Sequence, residues 1–470
     1  MSRLLIILTT LAGLGSALAF LLVASASAGP AAATMRVSVS SSGRQADREA
    51  YAVGLSGNGR LVLINSQATD LVPGDTNERW DVFVHDRSTG KTERVSVSTG
   101  GAQARATRDP WGGSIAGGIS ANGRYVVFQS DAPNLVLGDT NHVTDVFLHD
   151  RASGVTKRVS VGAHGQANGA SGFAAISASG RYVAFQSAAS NLVARDTNRI
   201  VDVFVRDLAT GKMSRVSVSN HGAQAACKGW CESTEPELSA GGRYVAFESS
   251  ATNLVRGDTN KLADVFVRDR RTGRTERVSV TSKGKQAGAD RTNNGSNAPS
   301  ISGDGRYVAF HSADSNLVPG DTNRTFDIFV HDRKTGRTTR ISVSSAGRQA
   351  NGESVGAPSF SADGRYVAFN SLASNLVPGD DRANDIMDVF VRDLRTGTTT
   401  IASLGAAGQH GADSSAVSGI AFSSDDHVLA FSSFAPNFVP ADTNGTADAF
   451  LRELKAGSRY SSARVEGKRQ

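Results

Sequence analysis

Apolar runs of strand length recur along this chain, bounded by Gly, Asp and Ser, with a period of about 60 residues. The motif GRYVAF marks the repeat, at 123–128 (with Val127 in place of Ala), 180–185, 242–247, 305–310 and 364–369, with looser copies at 59–64 and 426–431. In the unit spanning 298–349, a short apolar run at 298–302 is followed by the turn Gly303-Asp304-Gly305. The next run, 306–312, is apolar through its middle, as a strand covered on both faces would be. A long loop, 313–325, leads to a third run at 327–332, where Ile328 and Val330 flank Phe329 and both faces carry apolar groups. A second tight turn, 334–336, gives a fourth run at 338–344. There Ile341 and Val343 alternate with Arg and Ser, the period of an edge strand with one wet face.

One such unit cannot bury its own apolar face and must stack on copies. Four antiparallel strands repeated around an axis form the blade of a β-propeller. First runs begin near Val53, Gly118, Ala175, Pro236, Ser300, Ser359 and Gly419, and third runs at Asp81, Asp145, Asp202, Asp264, Asp327, Asp388 and Asp448. The predicted fold is therefore all-β, a seven-bladed β-propeller of four-stranded antiparallel blades. Segment 35–40 reads as a fourth strand with no first three before it, while 419–453 supplies three strands with no fourth. The N-terminal strand is expected to complete the last blade and shut the ring, which otherwise keeps an open edge. Segment 458–465 competes for that place but lacks the Val alternation.

Composition agrees: Gly is abundant (50 residues) and aromatics are sparse (6%), as in a turn-rich β protein. The first residues add a destination. Arg3, an apolar run to Val23 and the small-residue site Ala26-Ser27-Ala28 have the form of an export signal. Uncleaved, that run is long enough to anchor the chain in a membrane. The expected organisation is a signal peptide at 1–28, a short linker at 29–34, the propeller at 35–453 and a basic tail at 454–470, in a protein that is periplasmic, secreted or held at the cell surface. Cys227 and Cys231, the two cysteines of the chain, are expected to form a local disulfide in that compartment. The formal charge of +6 sits mostly at the C-terminus, where six basic residues from Arg452 onward face Glu453 and Glu466. A nucleic-acid footprint needs clustered cations with aromatics on the body itself, so no nucleic-acid partner is expected.

The segment SADGRYVAFNS (361–371), paired with DVFVRDLRTG (388–397), resembles the WD40-like (PD40) propeller repeat of the TolB family, which has the same Ser-x-Asp-Gly turn before an apolar strand. The likeness runs from about Arg36 to Glu453. It implies a propeller fold and, through that family, partnership with a peptidoglycan-associated lipoprotein. The chain departs from the family in having one strand, rather than a separate domain, before the first blade, in a longer LVPGDTN loop and in its RVSVS fourth strand. Similar propellers precede the peptidase domain of the prolyl oligopeptidase family, but no G-x-S-x-G elbow is present.

Strand alternation places the long loop after strand two and the connector after strand four on one face. That face carries D-T-N-x-x-x-D in Asp75, Asn77, Asp81; Asp139, Asn141, Asp145; Asp196, Asn198, Asp202; Asp258, Asn260, Asp264; Asp321, Asn323, Asp327; and Asp442, Asn444, Asp448. Blade six is stretched by one residue, leaving Asp380, Asp381, Asn384 and Asp388. Carboxylates at alternating positions plus an amide oxygen could hold Ca²⁺. Equally, Asp and Asn cap turns through their own backbone, and the last Asp can pair with a basic residue at the strand entrance. The pattern lacks the Gly and terminal Glu of an EF-hand loop. The three tryptophans, Trp80, Trp111 and Trp230, lie in loops of the same face and suit a glycan or peptide ligand, or else pack down over their own loops.

His85, His149 and His331 stand where Arg206, Arg268, Arg392 and Arg452 stand in other blades, so that position calls for a hydrogen-bond donor, not a general base. No catalytic set can be assembled from the spacing. The expected function is a monomeric binding scaffold that meets a protein, cell-wall glycan or small ligand through its long-loop face. The alternatives are a carbohydrate-active enzyme (lyase or glycosidase) and an inert surface module.

Overall fold

The computed structural model describes residues 34–105, 107, 112–229, 231–288, 295–380, 386–415 and 419–454. The signal segment, nearly all of the linker, the tail beyond Leu454 and the competing segment 458–465 lie outside the described residues.

Seven four-stranded antiparallel sheets form the blades of a β-propeller. Blade one consists of Ala50–Leu55, Leu61–Ser66, Asp81–Asp86 and Lys91–Arg94. Blade four, which matters most below, consists of Ser233–Leu238, Tyr244–Ser249, Asp264–Asp269 and Arg274–Arg277. The two middle strands are apolar on both faces because each blade is covered by its neighbours. In blade two Phe128 stacks on Phe147 with centroids 5.7 Å apart, and the same pairing recurs as Phe185–Phe204, Phe247–Phe266, Phe310–Phe329, Phe369–Phe390 and Phe431–Phe450. These rings are fully buried, each contributing on the order of 1.5–3 kcal/mol.

The ring shuts as expected. Thr34–Arg36 pairs with Asp448–Glu453 in the register Thr34–Arg452, Met35–Leu451, Arg36–Phe450, and Val37 N–H then donates to the Ala449 carbonyl at 2.8 Å. Val37 is buried in a core that also holds Ala449 and Leu451. Val39 has already left that sheet: it pairs with Gln45, and its carbonyl accepts from Thr92 Oγ1 of blade one at 2.5 Å.

Two boundaries differ from the sequence expectation. The fourth strand of blade five ends at Arg340, not at Ser344. Ile341 N–H still donates to Ile328, but Ser342 turns its hydroxyl into the blade, accepting from Ile328 N–H at 3.1 Å and donating to Asp327 at 2.5 Å. First strands mostly begin earlier than their apolar pattern suggests, at Ala50, Ser114, Ser171, Ser233, Ser296 and Ser354. They are innermost, they carry a bulge, and their inner faces line the channel instead of a core, so apolar alternation is weak there.

Candidate functional site

The long-loop aspartates converge, and what lies between them is a guanidinium. Arg340, the last residue of its strand, sits 2.9 Å from Asp321 and 3.1 Å from Asp327. Asn323 donates to Asp327 at 3.0 Å and to the Ala350 carbonyl at 3.1 Å, and Ser342 satisfies the other oxygen of Asp327. The arrangement recurs with Arg94 on Asp75 and Asp81, Arg158 on Asp139 and Asp145, Arg215 on Asp196 and Asp202, and Arg277 on Asp258 and Asp264. Asn77, Asn141, Asn198 and Asn260 repeat the Asn323 role. In blade seven the N-terminal strand supplies Arg36, 3.5 Å from Asp442 and from Asp448, beside Asn444.

Blade six has Ile401 in the arginine position; Asp388 accepts from Ser403 at 2.6 Å, while Asp381 and Asn384 lie outside the described residues. Burial pushes Asp81, Asp258 and Asp448 up to about 6. Of the two roles open to the motif, the geometry shows pairing with a basic residue at the strand. A calcium ion at the loops of the six blades other than blade six would have to displace the arginine. Among the described residues, no three His, Cys, Asp or Glu side chains form a group that could hold a metal ion.

Trp80 is half-buried, stacked on Tyr51 with centroids 5.6 Å apart, and its backbone pairs with Gly113 of the next blade. Trp111 and Trp230 lie outside the described residues. Cys227 and Cys231 are disulfide-bonded, with Cα atoms 6.1 Å apart.

The histidine positions behave as hydrogen-bond donors. His85, His149 and His331 each lie 2.9 Å from a threonine hydroxyl (Thr92, Thr156, Thr338), which donates onward to a carbonyl of the preceding connector. Arg268 and Arg392 reach the equivalent Thr275 and Thr399 at 2.8 Å. Burial lowers the pKa of all three histidines.

The feature that the sequence reading passed over is the central channel. The residue before the last Ser of each second strand is polar, and in most blades it grips the first strand of the next blade. Asn65 accepts from Ala116 N–H at 2.5 Å and donates to the Ser114 carbonyl at 2.9 Å. Gln129 accepts from Phe173 N–H at 2.7 Å and Gln186 from Glu235 N–H at 3.1 Å. Ser432 closes the set by accepting from Ala52 N–H at 2.9 Å. Packing at the channel wall is close, since a Cβ on Gly117 would collide with the Ala174 carbonyl.

Within this ring blade four is different. Its sequence STEPEL places Glu235 at the bulge, at φ 49°, and Glu237 where the other blades carry Gly54, Gly118, Ala175, Ser300, Ser359 and Ala421. Glu248 holds the polar position of the second strand. The Ala298 N–H favours the charged form of both Glu235 and Glu248. Glu237 is exposed to solvent, but within the channel rather than on the outer surface, so protein around the opening leaves its carboxylate less well solvated. Desolvation by the surrounding protein first, and repulsion from Glu235 second, push Glu237 and Glu248 up to about 7.

Glu235 and Glu237 line a cavity of about 540 Å³ with Pro236, Pro299, His311 and Phe173. His311 donates to the Gly356 carbonyl at 3.2 Å and is held neutral by burial. Ile115 and Phe173, two of the three exposed large hydrophobics among the described residues, also line it, and no Lys or Arg does. The cavity is bounded by the early part of the first strands and the late part of the second, so it opens toward the long-loop face. Glutamates at two small-residue and bulge positions were the signal that could have been read from the repeats.

No family model matches the sequence, and neither does any curated protein. Among solved structures, an oligogalacturonate lyase in complex with manganese superposes with a TM-score of 0.52 at 12% identity, covering 90% of this chain and 96% of that one. An oligogalacturonate lyase from Vibrio parahaemolyticus gives 0.49 at 10% identity, over 90% and 93%. TolB from Acinetobacter baumannii gives 0.39 at 14% identity, over 75% of this chain and 62% of that one, so the chain spans less than two thirds of the TolB it matches. The likeness to the manganese-bound lyase is one of fold: this chain is a β-propeller.

Proposed function

We propose that this protein is an exported binding propeller of TolB-like type whose ligand enters the central channel from the long-loop face and presents a cationic group on an apolar body. The observation that carries the reading is Glu237, a carboxylate set into the channel at a position that is Gly, Ala or Ser in every other blade. With Glu235 it makes one wall of the cavity acidic, Glu248 standing behind it, while Phe173 and Ile115 give apolar contact. A lysine or arginine side chain of a partner protein, or a small amine, has that chemistry. Export rests on the apolar leader with its Ala26-Ser27-Ala28 site, and a disulfide between Cys227 and Cys231 suits an oxidising compartment. An oligogalacturonate carries a carboxylate on each sugar and would be repelled by the glutamates, which argues against carrying over the substrate of the lyase that shares the fold.

The test is titration of the purified protein with phenethylamine and with its neutral analogue phenethyl alcohol. The amine is expected to bind at least about tenfold more tightly, and Glu235→Gln with Glu237→Gln to erase that preference. Equal binding of the two compounds would refute the reading, and turnover of a glycan would replace it with the enzyme alternative.

A further inference from the structure

On the opposite face, where the short turns lie, blades two and three are parted by a groove of about 620 Å³. At four other interfaces an arginine (Arg87, Arg151, Arg270 or Arg333) fills this place, while before blades six and seven Leu394 and Leu454 do so, as Leu208 does here. Arg151 of blade two reaches back to Glu93 of blade one at 2.7 Å, and Arg333 of blade five to Glu276 of blade four at 2.6 Å. Arg333 also lies over the Tyr244 ring at 4.3 Å, and Arg270 covers Tyr182 at the same distance. Between blades two and three both partners are replaced: Leu208 stands in the arginine position and Lys157 in that of Glu93. Tyr125 keeps Arg124 on one side, at 4.9 Å, and on the other meets the groove.

A second departure lies at the same spot. Arg206 is the counterpart of Arg268 and Arg392, which each bond to a threonine and to carbonyls. In blade three the threonine is Met213, and Arg206 makes one bond, to the Val161 carbonyl at 2.7 Å. Its guanidinium is half-buried without a carboxylate, a state that burial disfavours. Lys157 is exposed and has no ion-pair partner among the described residues. The neighbouring Arg124 and Arg181 are already neutralised by Asp150 and Asp207, each 2.7–2.8 Å away.

We propose that this groove is a second ligand site, for an organic carboxylate whose apolar body lies against Tyr125 and Leu208 and whose acid group meets Lys157 and Arg206. The site is on the face opposite to the channel mouth and stands independently of the channel reading.

The probe is 2-naphthoate, followed by fluorescence, with 2-naphthamide as the neutral control. Saturable binding of the acid, at least about tenfold tighter than the amide, is expected. The double variant Lys157→Glu with Leu208→Arg rebuilds the pair seen between blades one and two, fills the groove, and should abolish binding with the melting temperature retained or raised. Met213→Thr, which gives Arg206 an internal partner, should weaken binding without unfolding. Equal affinity for acid and amide, undiminished binding in the double variant, or no saturable binding would each overturn the proposal.

Discussion

Ser38 Oγ donates to Asp448 Oδ1 at 2.5 Å across 410 residues of chain. In every other blade the same bond lies within one blade, as Ser96–Asp81, Ser160–Asp145, Ser217–Asp202, Ser279–Asp264, Ser342–Asp327 and Ser403–Asp388. The N-terminal segment thus brings to blade seven a serine that elsewhere follows the blade's own fourth strand and an arginine, Arg36, that in blades one to five ends it.

Because Asp448 is buried, Ser38→Ala is expected to cost about 1–3 kcal/mol in denaturant unfolding, from one buried acceptor left unpaired. Ser96→Ala should cost a similar amount. Removing residues 34–40 goes further: it exposes the edge of Asp448–Glu453, and unfolding should lose its single cooperative transition.

Arg340→Met removes the cation between Asp321 and Asp327, leaving a buried carboxylate pair without its counter-charge. A loss of about 3–5 kcal/mol is expected. Chelator should leave the melting temperature of the native protein unchanged. A fall on chelation would show a metal acting where the arginine stands.

Asn65→Ala breaks the latch from blade one to the Ser114 carbonyl and the Ala116 N–H. We expect about 1–3 kcal/mol of destabilisation. Hydrogen exchange should speed up first in Ser114–Ile119, the strand that the latch holds.

Desolvation pushes Glu237 and Glu248 from an ordinary value of 4.5 up to about 7 in the fold, so the folded protein is expected to retain protons that the unfolded chain gives up. Their contribution to stability is present below about pH 4.5 and is lost as pH rises through 7. Glu237→Gln should therefore melt above the native protein at pH 8 and level with it at pH 4.5. Thermal melts across that range check the sign.

The architecture was legible in the sequence because the middle strands are covered on both faces, so GRYVAF and DVFV repeat nearly unchanged. Closure was legible too, since Arg36 to Ser40 copies a fourth strand. The channel was not. Its wall is built from first strands whose residues face solvent and a bulge, which frees Glu235 and Glu237 from the repeat pattern. The D-T-N loops looked like ion ligands because their counter-charge, such as Arg340, stands 13 residues beyond Asp327 and meets it only through the hairpin.

The channel reading meets its most direct test in calorimetric titration of phenethylamine at pH 6, repeated in buffers of different ionisation enthalpy. A cation binding beside glutamates that titrate near 7 must drive a proton off, so net proton release is predicted, and Glu237→Gln with Glu248→Gln should remove it. Binding with no proton released, or release that survives the double variant, would contradict the account.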